Sequence, residues 1–271
     1  MNELFQDAMS VVRALGKPDL FITMTCNPNW SGLKKNLLYD QKPNDRPDFI
    51  ARYFRIKLKM LLKDLVENHV LGRTIGHIYV IEFQKRGLPH AHILLILHPE
   101  DKITNSKQVD LTVSAEIPSK EKYPHLHEIV KQCMMHGPRG ESNPNSPCMV
   151  DGKCSKKFPK EFCEETILEN NTYPVYKRSA SNPDNKWVVP YNPYLSTKYN
   201  CLINVEVCNF NTAVKYLFKY VYKGHDKSLI TIDSNEQAQS VSDFKDNKLK
   251  ENDEIEKFRD MRYLNDPESL K

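Results

Sequence analysis

Ile78-Tyr79-Val80-Ile81-Glu82-Phe83-Gln84-Lys85-Arg86-Gly87-Leu88-Pro89-His90-Ala91-His92-Ile93-Leu94-Leu95 reads as two strands and the turn between them. β-Branched and aromatic residues fill the first run, apolar residues fill the second, and Gly87 suits the link. A five-residue loop over residues 84–88 sets Phe83 opposite Pro89, Glu82 opposite His90 and Val80 opposite His92. Side chains alternate between the faces of a strand, so His90 and His92 share one face, and Glu82 joins them from the partner strand. Two imidazoles and a carboxylate form a small divalent-metal site with open positions. The tripeptide alone reads first as two polar residues on a solvated face; the register argument, which adds the carboxylate, brings the metal reading level with it.

Outward from the hairpin, residues 19–26 read as a further strand, Asp-Leu-Phe-Ile-Thr-Met-Thr-Cys, ended by Asn27-Pro28-Asn29. A helix follows. Asp45 is its expected N-cap and Pro47 fits its first turn, while Ile50, Phe54, Leu58, Leu61 and Leu65 recur at helical spacing. From residue 98 to about 189 the pattern gives way to prolines, asparagines and cysteines, with no long periodic element. Residues 198–208 resume a strand-like alternation. Residues 212–223 read as a short helix ended by Gly224, and residues 254–264 as one more.

The chain of 271 residues suits one large domain or two small ones. From residue 231 on there are 11 acids and 7 bases, so the first 230 residues carry 32 bases and 24 acids. A basic body is compatible with a polyanionic partner. No run of 18 apolar residues predicts a membrane span, and the N-terminus has no signal-peptide pattern. Seven cysteines without a secretion signal suggest reduced thiols or metal ligands.

In the helix over residues 212–223, Tyr216 and Tyr220 share a face, and each opens a Tyr-x-x-Lys unit, with Lys219 and Lys223. Neighbouring lysines favour a phenolate, which the ordinary tyrosine pKa near 10 otherwise disfavours. The same helix also reads as amphipathic, its tyrosines in the core with wet tips. Single-strand binding needs cations and stacking faces. Lys85 and Arg86 in the hairpin loop, Lys156-Lys157-Phe158-Pro159-Lys160, and the cluster Trp187, Tyr191, Tyr194 and Tyr199 are the candidates. Trp30 reads equally as core.

Cys133-Met134-Met135-His136 and Cys148-x5-Cys154 offer four tetrahedral ligands for a structural zinc ion, Cys133, His136, Cys148 and Cys154, with Cys163 as a spare. A stretch poor in periodic hydrophobicity gains a staple from such an ion. Free thiols that merely pack are the alternative.

Three segments occur in an order that resembles the replication-initiator nuclease domain of Helitron transposons, a branch of the HUH endonucleases. They are Phe21-Ile22-Thr23-Met24-Thr25-Cys26-Asn27-Pro28, residues 82–92, and Lys215-Tyr216-Leu217-Phe218-Lys219-Tyr220. Asn185-Lys186-Trp187-Val188-Val189-Pro190-Tyr191-Asn192-Pro193-Tyr194-Leu195 and Lys198-Tyr199-Asn200-Cys201 also look like family sequence. The resemblance implies an α+β fold: a central antiparallel sheet of about five strands flanked by helices, in a domain over residues 1–230. A Cys-rich irregular insertion would occupy about residues 99–190, its zinc region 133–163, and residues 231–271 would form a charged tail towards a helicase.

The resemblance further implies metal-dependent nicking of single-stranded DNA. Mg²⁺ or Mn²⁺ would sit on Glu82, His90 and His92, and Tyr216 or Tyr220 would form a 5′-phosphotyrosine, with Lys219 and Lys223 stabilising phosphate or phenolate. It also implies a helicase partner domain in the full-length protein and a nuclear location. The sequence holds no G-x-x-x-x-G-K-[ST] loop, so a fragment or a degenerate copy separated from its helicase is expected. Relatives often carry cysteine where Arg139 stands and histidine where Leu202 stands, and both are absent here. The rival functions are a catalytically inactive DNA-binding relative and a zinc-stabilised scaffold.

Overall fold

A computed structural model describes residues 3–83, 88–137, 143, 145–146, 148–168 and 173–208. In chain order the elements are α1 Glu3–Leu15, β1 Leu20–Thr25, α2 Ser31–Lys34, α3 Pro47–Val66, β2 Thr74–Phe83 and β3 Pro89–Leu97. There follow α4 Ser106–Thr112, α5 Pro124–Cys133, β4 Met149–Val150, β5 Lys153–Cys154, α6 Pro193–Tyr199 and β6 Ile203–Val207. The fold is α+β. Among the described residues the main sheet has four strands in the order β2-β3-β1-β6, every neighbour antiparallel, where about five were expected. The expected helices over residues 212–223 and 254–264, and the tail, lie outside the described residues.

The hairpin has the register read from sequence: Phe83 faces Pro89, Glu82 faces His90 and Val80 faces His92. β3 is central, between β2 and β1, so its apolar run is buried on both faces rather than alternating. One face carries Ala91, Ile93, Leu95 and Leu97 with Ile22, Met24, Ile203 and Val205, and α3 covers it with Ile50, Phe54, Leu58, Leu61 and Leu65. Each of those five helix side chains is almost fully buried and contributes about 2 kcal/mol of hydrophobic transfer. The opposite face carries Phe21 and Leu94, packed by Met9 and Val12 of α1. Trp30 is core, and its indole N–H donates to the Tyr199 carbonyl at 2.8 Å.

Two expectations are corrected. Asp45 does not cap α3. It closes a 3₁₀ turn over Pro43–Asp45, where its carboxylate accepts the Lys42 N–H at 2.8 Å, and Arg46 holds the cap position. Pro47 disfavours helical geometry at the preceding residue, so a break falls between Asp45 and the helix. The strand expected over residues 198–208 begins only at Ile203. Lys198 and Tyr199 end α6, whose N-cap Asn192 accepts the Leu195 N–H, and Asn200 turns the chain at φ 46°. The Cys-rich insertion holds short elements, the longest of them α5. α5 buries Leu126, Ile129 and Val130, and Leu126 and Val130 pack with Met134, Val188 and Tyr191 in a second small core. Arg178 stitches this region together: its buried Nη1 donates to the carbonyls of Ala115, Asn185 and Val188 at 2.7–3.0 Å.

Candidate metal centre on the central strands

β3 places His90 and His92 on the sheet face opposite α3, and β2 brings Glu82 beside them. Glu82 Oε2 lies 3.2 Å from His92 Nε2. β1 adds a feature the sequence reading missed. It pairs antiparallel with β3, setting Thr25 opposite His90 and Thr23 opposite His92. The Thr25 hydroxyl is 2.9 Å from His90 Nδ1, and the Thr23 hydroxyl is 3.0 Å from His92 Nδ1. The signal was present as Thr23-x-Thr25, the same two-residue period as His90-x-His92, but only the pairing of β1 with β3 connects them. Beyond Thr23 the row continues to Asn204 on β6, whose side-chain amide donates to Glu206 at 2.8 Å.

His92 is 9% exposed and stacks on Phe21, with ring centroids 5.8 Å apart and planes within 5°. Burial pushes the His90 imidazole down to about 4; His92 acts in the same direction, and Glu82 opposes both. A neutral imidazole near neutral pH is the form that ligates metal. By residue type two imidazoles and a carboxylate suit a divalent ion, and each Nδ1 already has a hydrogen-bond partner, but the ligand atoms of Glu82, His90 and His92 do not all lie within 4.8 Å of one another. Lys85 and Arg86 lie outside the described residues, as do Tyr216, Lys219, Tyr220 and Lys223.

A second cluster is more tightly gathered. Among the described residues, His136, Cys148 and Cys154 form the one trio of His, Cys, Asp or Glu whose ligand atoms all lie within 4.8 Å of one another. This trio could hold a metal ion. His136 Nε2 is 3.6 Å from Cys148 Sγ and 3.4 Å from Cys154 Sγ, and the two sulfurs are 3.8 Å apart. The β4–β5 hairpin brings the cysteines together. Its Asp151-Gly152 turn has φ of 49° and 73°, the positive pair that a tight hairpin with Asp-Gly demands. The His136 ring stacks on Phe158 at 4.2 Å, and its backbone N–H donates to the Trp187 carbonyl.

Cys133, expected as a fourth ligand, is not in this trio. At the end of α5 it packs with the second small core, and burial raises its thiol pKa. The spare Cys163 is elsewhere, its thiol donating to the Glu165 carbonyl. None of the seven cysteines is joined in a disulfide. The aromatic stacking cluster also divides: Tyr191 and Tyr199 are 1% exposed and belong to the core, whereas Tyr194 is 51% exposed and remains available as a flat face.

The fold is an α+β domain that carries His90, His92 and Glu82 on one face of an antiparallel sheet. Residues 1–95 match the family model of the Helitron helicase-like domain at the N-terminus, which bears out the resemblance over that part of the chain. The match runs through Thr23, Thr25, Glu82, His90 and His92, and it supports a Helitron-related role. No curated protein matches the chain. Among the described residues no helix is long and apolar enough to cross a membrane.

Proposed function

We propose that this protein nicks and rejoins single-stranded DNA by tyrosine transesterification, as in rolling-circle transposition. The observation that carries the reading is the convergence of Glu82, His90 and His92 on one sheet face, in register across β2 and β3. These residues would hold Mg²⁺ or Mn²⁺, which as a Lewis acid polarises the scissile phosphate. The phenol oxygen of Tyr216 or Tyr220 attacks phosphorus, the P–O3′ bond breaks, and the departing 3′ oxygen takes up a proton. The product is a 5′-phosphotyrosine and a free 3′-hydroxyl. The phosphodiester bond energy is conserved, so the second tyrosine or the released hydroxyl can complete strand transfer without ATP. Lys219 and Lys223 would stabilise phosphate or phenolate, and Lys85 and Arg86 would bind the DNA backbone. A helicase domain in the full-length protein and a nuclear location belong to the same reading.

The His136, Cys148 and Cys154 trio we assign to a structural zinc ion. Zinc–ligand lengths of about 2.3 Å to sulfur and about 2.05 Å to nitrogen imply tetrahedral edges of roughly 3.8 Å and roughly 3.5 Å. The sulfur–sulfur separation of 3.8 Å and the nitrogen–sulfur separations of 3.4 and 3.6 Å agree with these. Elemental analysis of the purified protein checks the assignment: about one zinc per chain is expected, and none if it is wrong.

The nuclease reading is tested with labelled single-stranded DNA and Mn²⁺. A covalent adduct that survives denaturation is expected, and it should vanish in a Tyr216→Phe, Tyr220→Phe double variant. DNA binding without adduct, with Mn²⁺ bound, would instead identify a DNA-binding relative that no longer cuts.

A further inference from the structure

The Thr23 and Thr25 hydroxyls stand in the same relation to two successive histidines. Each comes from β1, sits directly opposite its histidine on β3, and lies 2.9–3.0 Å from Nδ1. The repetition follows from the shared two-residue period of paired strands, so one register fixes both contacts. Resting on the reading of Glu82, His90 and His92 as cation ligands, we propose that Thr23 and Thr25 are positioning residues for the ion. They hold both imidazoles by Nδ1, so that Nε2 is the nitrogen presented to the cation, and they let the rings change tautomer without losing a hydrogen bond.

The physical basis is the dual character of a hydroxyl, which donates or accepts by rotating about one bond. His92 Nε2 lies 3.2 Å from Glu82 Oε2. A carboxylate only accepts, so a neutral ring that donates to it carries its proton on Nε2, and Nδ1 then accepts from the Thr23 hydroxyl. When Nε2 ligates a cation the proton must reside on Nδ1, and the same hydroxyl turns to accept it. Valine has the shape of threonine and its preference for strands, but can do neither. Serine keeps both abilities and loses only a methyl group.

The test is Mn²⁺ titration of the full chain with its zinc retained, by calorimetry, in four forms. Wild type should bind, and His90→Ala, His92→Ala should abolish binding. Thr23→Val, Thr25→Val should bind roughly 10- to 100-fold more weakly, the usual cost of losing a ligand's supporting hydrogen bond. Thr23→Ser, Thr25→Ser should stay within about threefold of wild type. A valine variant that binds like wild type, or a serine variant as weak as valine, overturns the proposal while leaving the ligand reading intact. A wild type that binds no Mn²⁺, or a histidine variant that binds unchanged, overturns the ligand reading and the proposal with it. Nitrogen NMR of the wild-type imidazoles covers the case of a valine variant that does not fold. On adding Mg²⁺ the His92 proton should move from Nε2 to Nδ1, and an unchanged tautomer at saturating Mg²⁺ overturns the proposal.

Discussion

Single side chains carry unusually heavy duties here. Arg178 is 3% exposed, and burial lowers its guanidinium to about 10, yet its Nη1 donates to three backbone carbonyls. Arg178→Met strands those carbonyls in a dry interior and should destabilise the fold by roughly 3 kcal/mol, read from the urea midpoint. Asp64 is the acidic counterpart. It is 2% exposed and accepts from Lys198, from the Tyr199 hydroxyl at 2.6 Å and from Asn68. Burial alone would raise its carboxyl, but these hydrogen bonds outweigh burial and hold the pKa below the ordinary 3.8. The unfolded chain therefore takes up this proton first as pH falls. Its contribution is complete above the ordinary carboxylate range and is lost as pH drops through the lowered folded value. Asp64→Asn should flatten the acid limb of stability against pH below about 4, and an unchanged limb would refute the linkage.

At the scale of elements, neighbouring residues often decide where a segment begins and how it turns. Pro47 starts α3, Asn192-Pro193 starts α6, and Asp151-Gly152 makes the turn that joins β4 to β5. That small hairpin has two residues in each strand and gains little from its own ladder. With the proposed zinc ion at His136, Cys148 and Cys154, its order should depend on that ion. Chelation, or Cys148→Ser, should speed amide exchange over residues 148–155 by at least about tenfold while the amides of β3 keep their protection. Equal loosening of both regions would show that the cluster supports the whole fold rather than the hairpin.

The whole molecule presents a basic body, with 32 bases and 24 acids in its first 230 residues. If that excess meets phosphates, affinity for single-stranded DNA should fall by at least about tenfold between 50 and 200 mM salt, measured by fluorescence anisotropy. Affinity indifferent to salt would exclude a phosphate-tracking mode. Much of the architecture could be read before any coordinates. The hairpin register followed from a two-residue period and a five-residue loop, and the α3 stripe from helical spacing, because both depend on residues close in the chain. That His136, Cys148 and Cys154 gather was read from spacing, but not that Cys133 stands apart, since spacing does not say which way a cysteine at a helix end points. Tyr191 and Tyr199 looked like stacking faces because nothing near them in the chain reveals what packs over them. Sequence by itself determined the hairpin, the convergence of Glu82, His90 and His92, and the helix that covers the other face. Tertiary structure alone decided that β1 lies against β3, so that hydroxyls 65 and 69 residues away reach the two imidazoles. Local periodicity sets which face a side chain takes, whereas the neighbour it meets depends on strand order, which is settled only when the whole core packs.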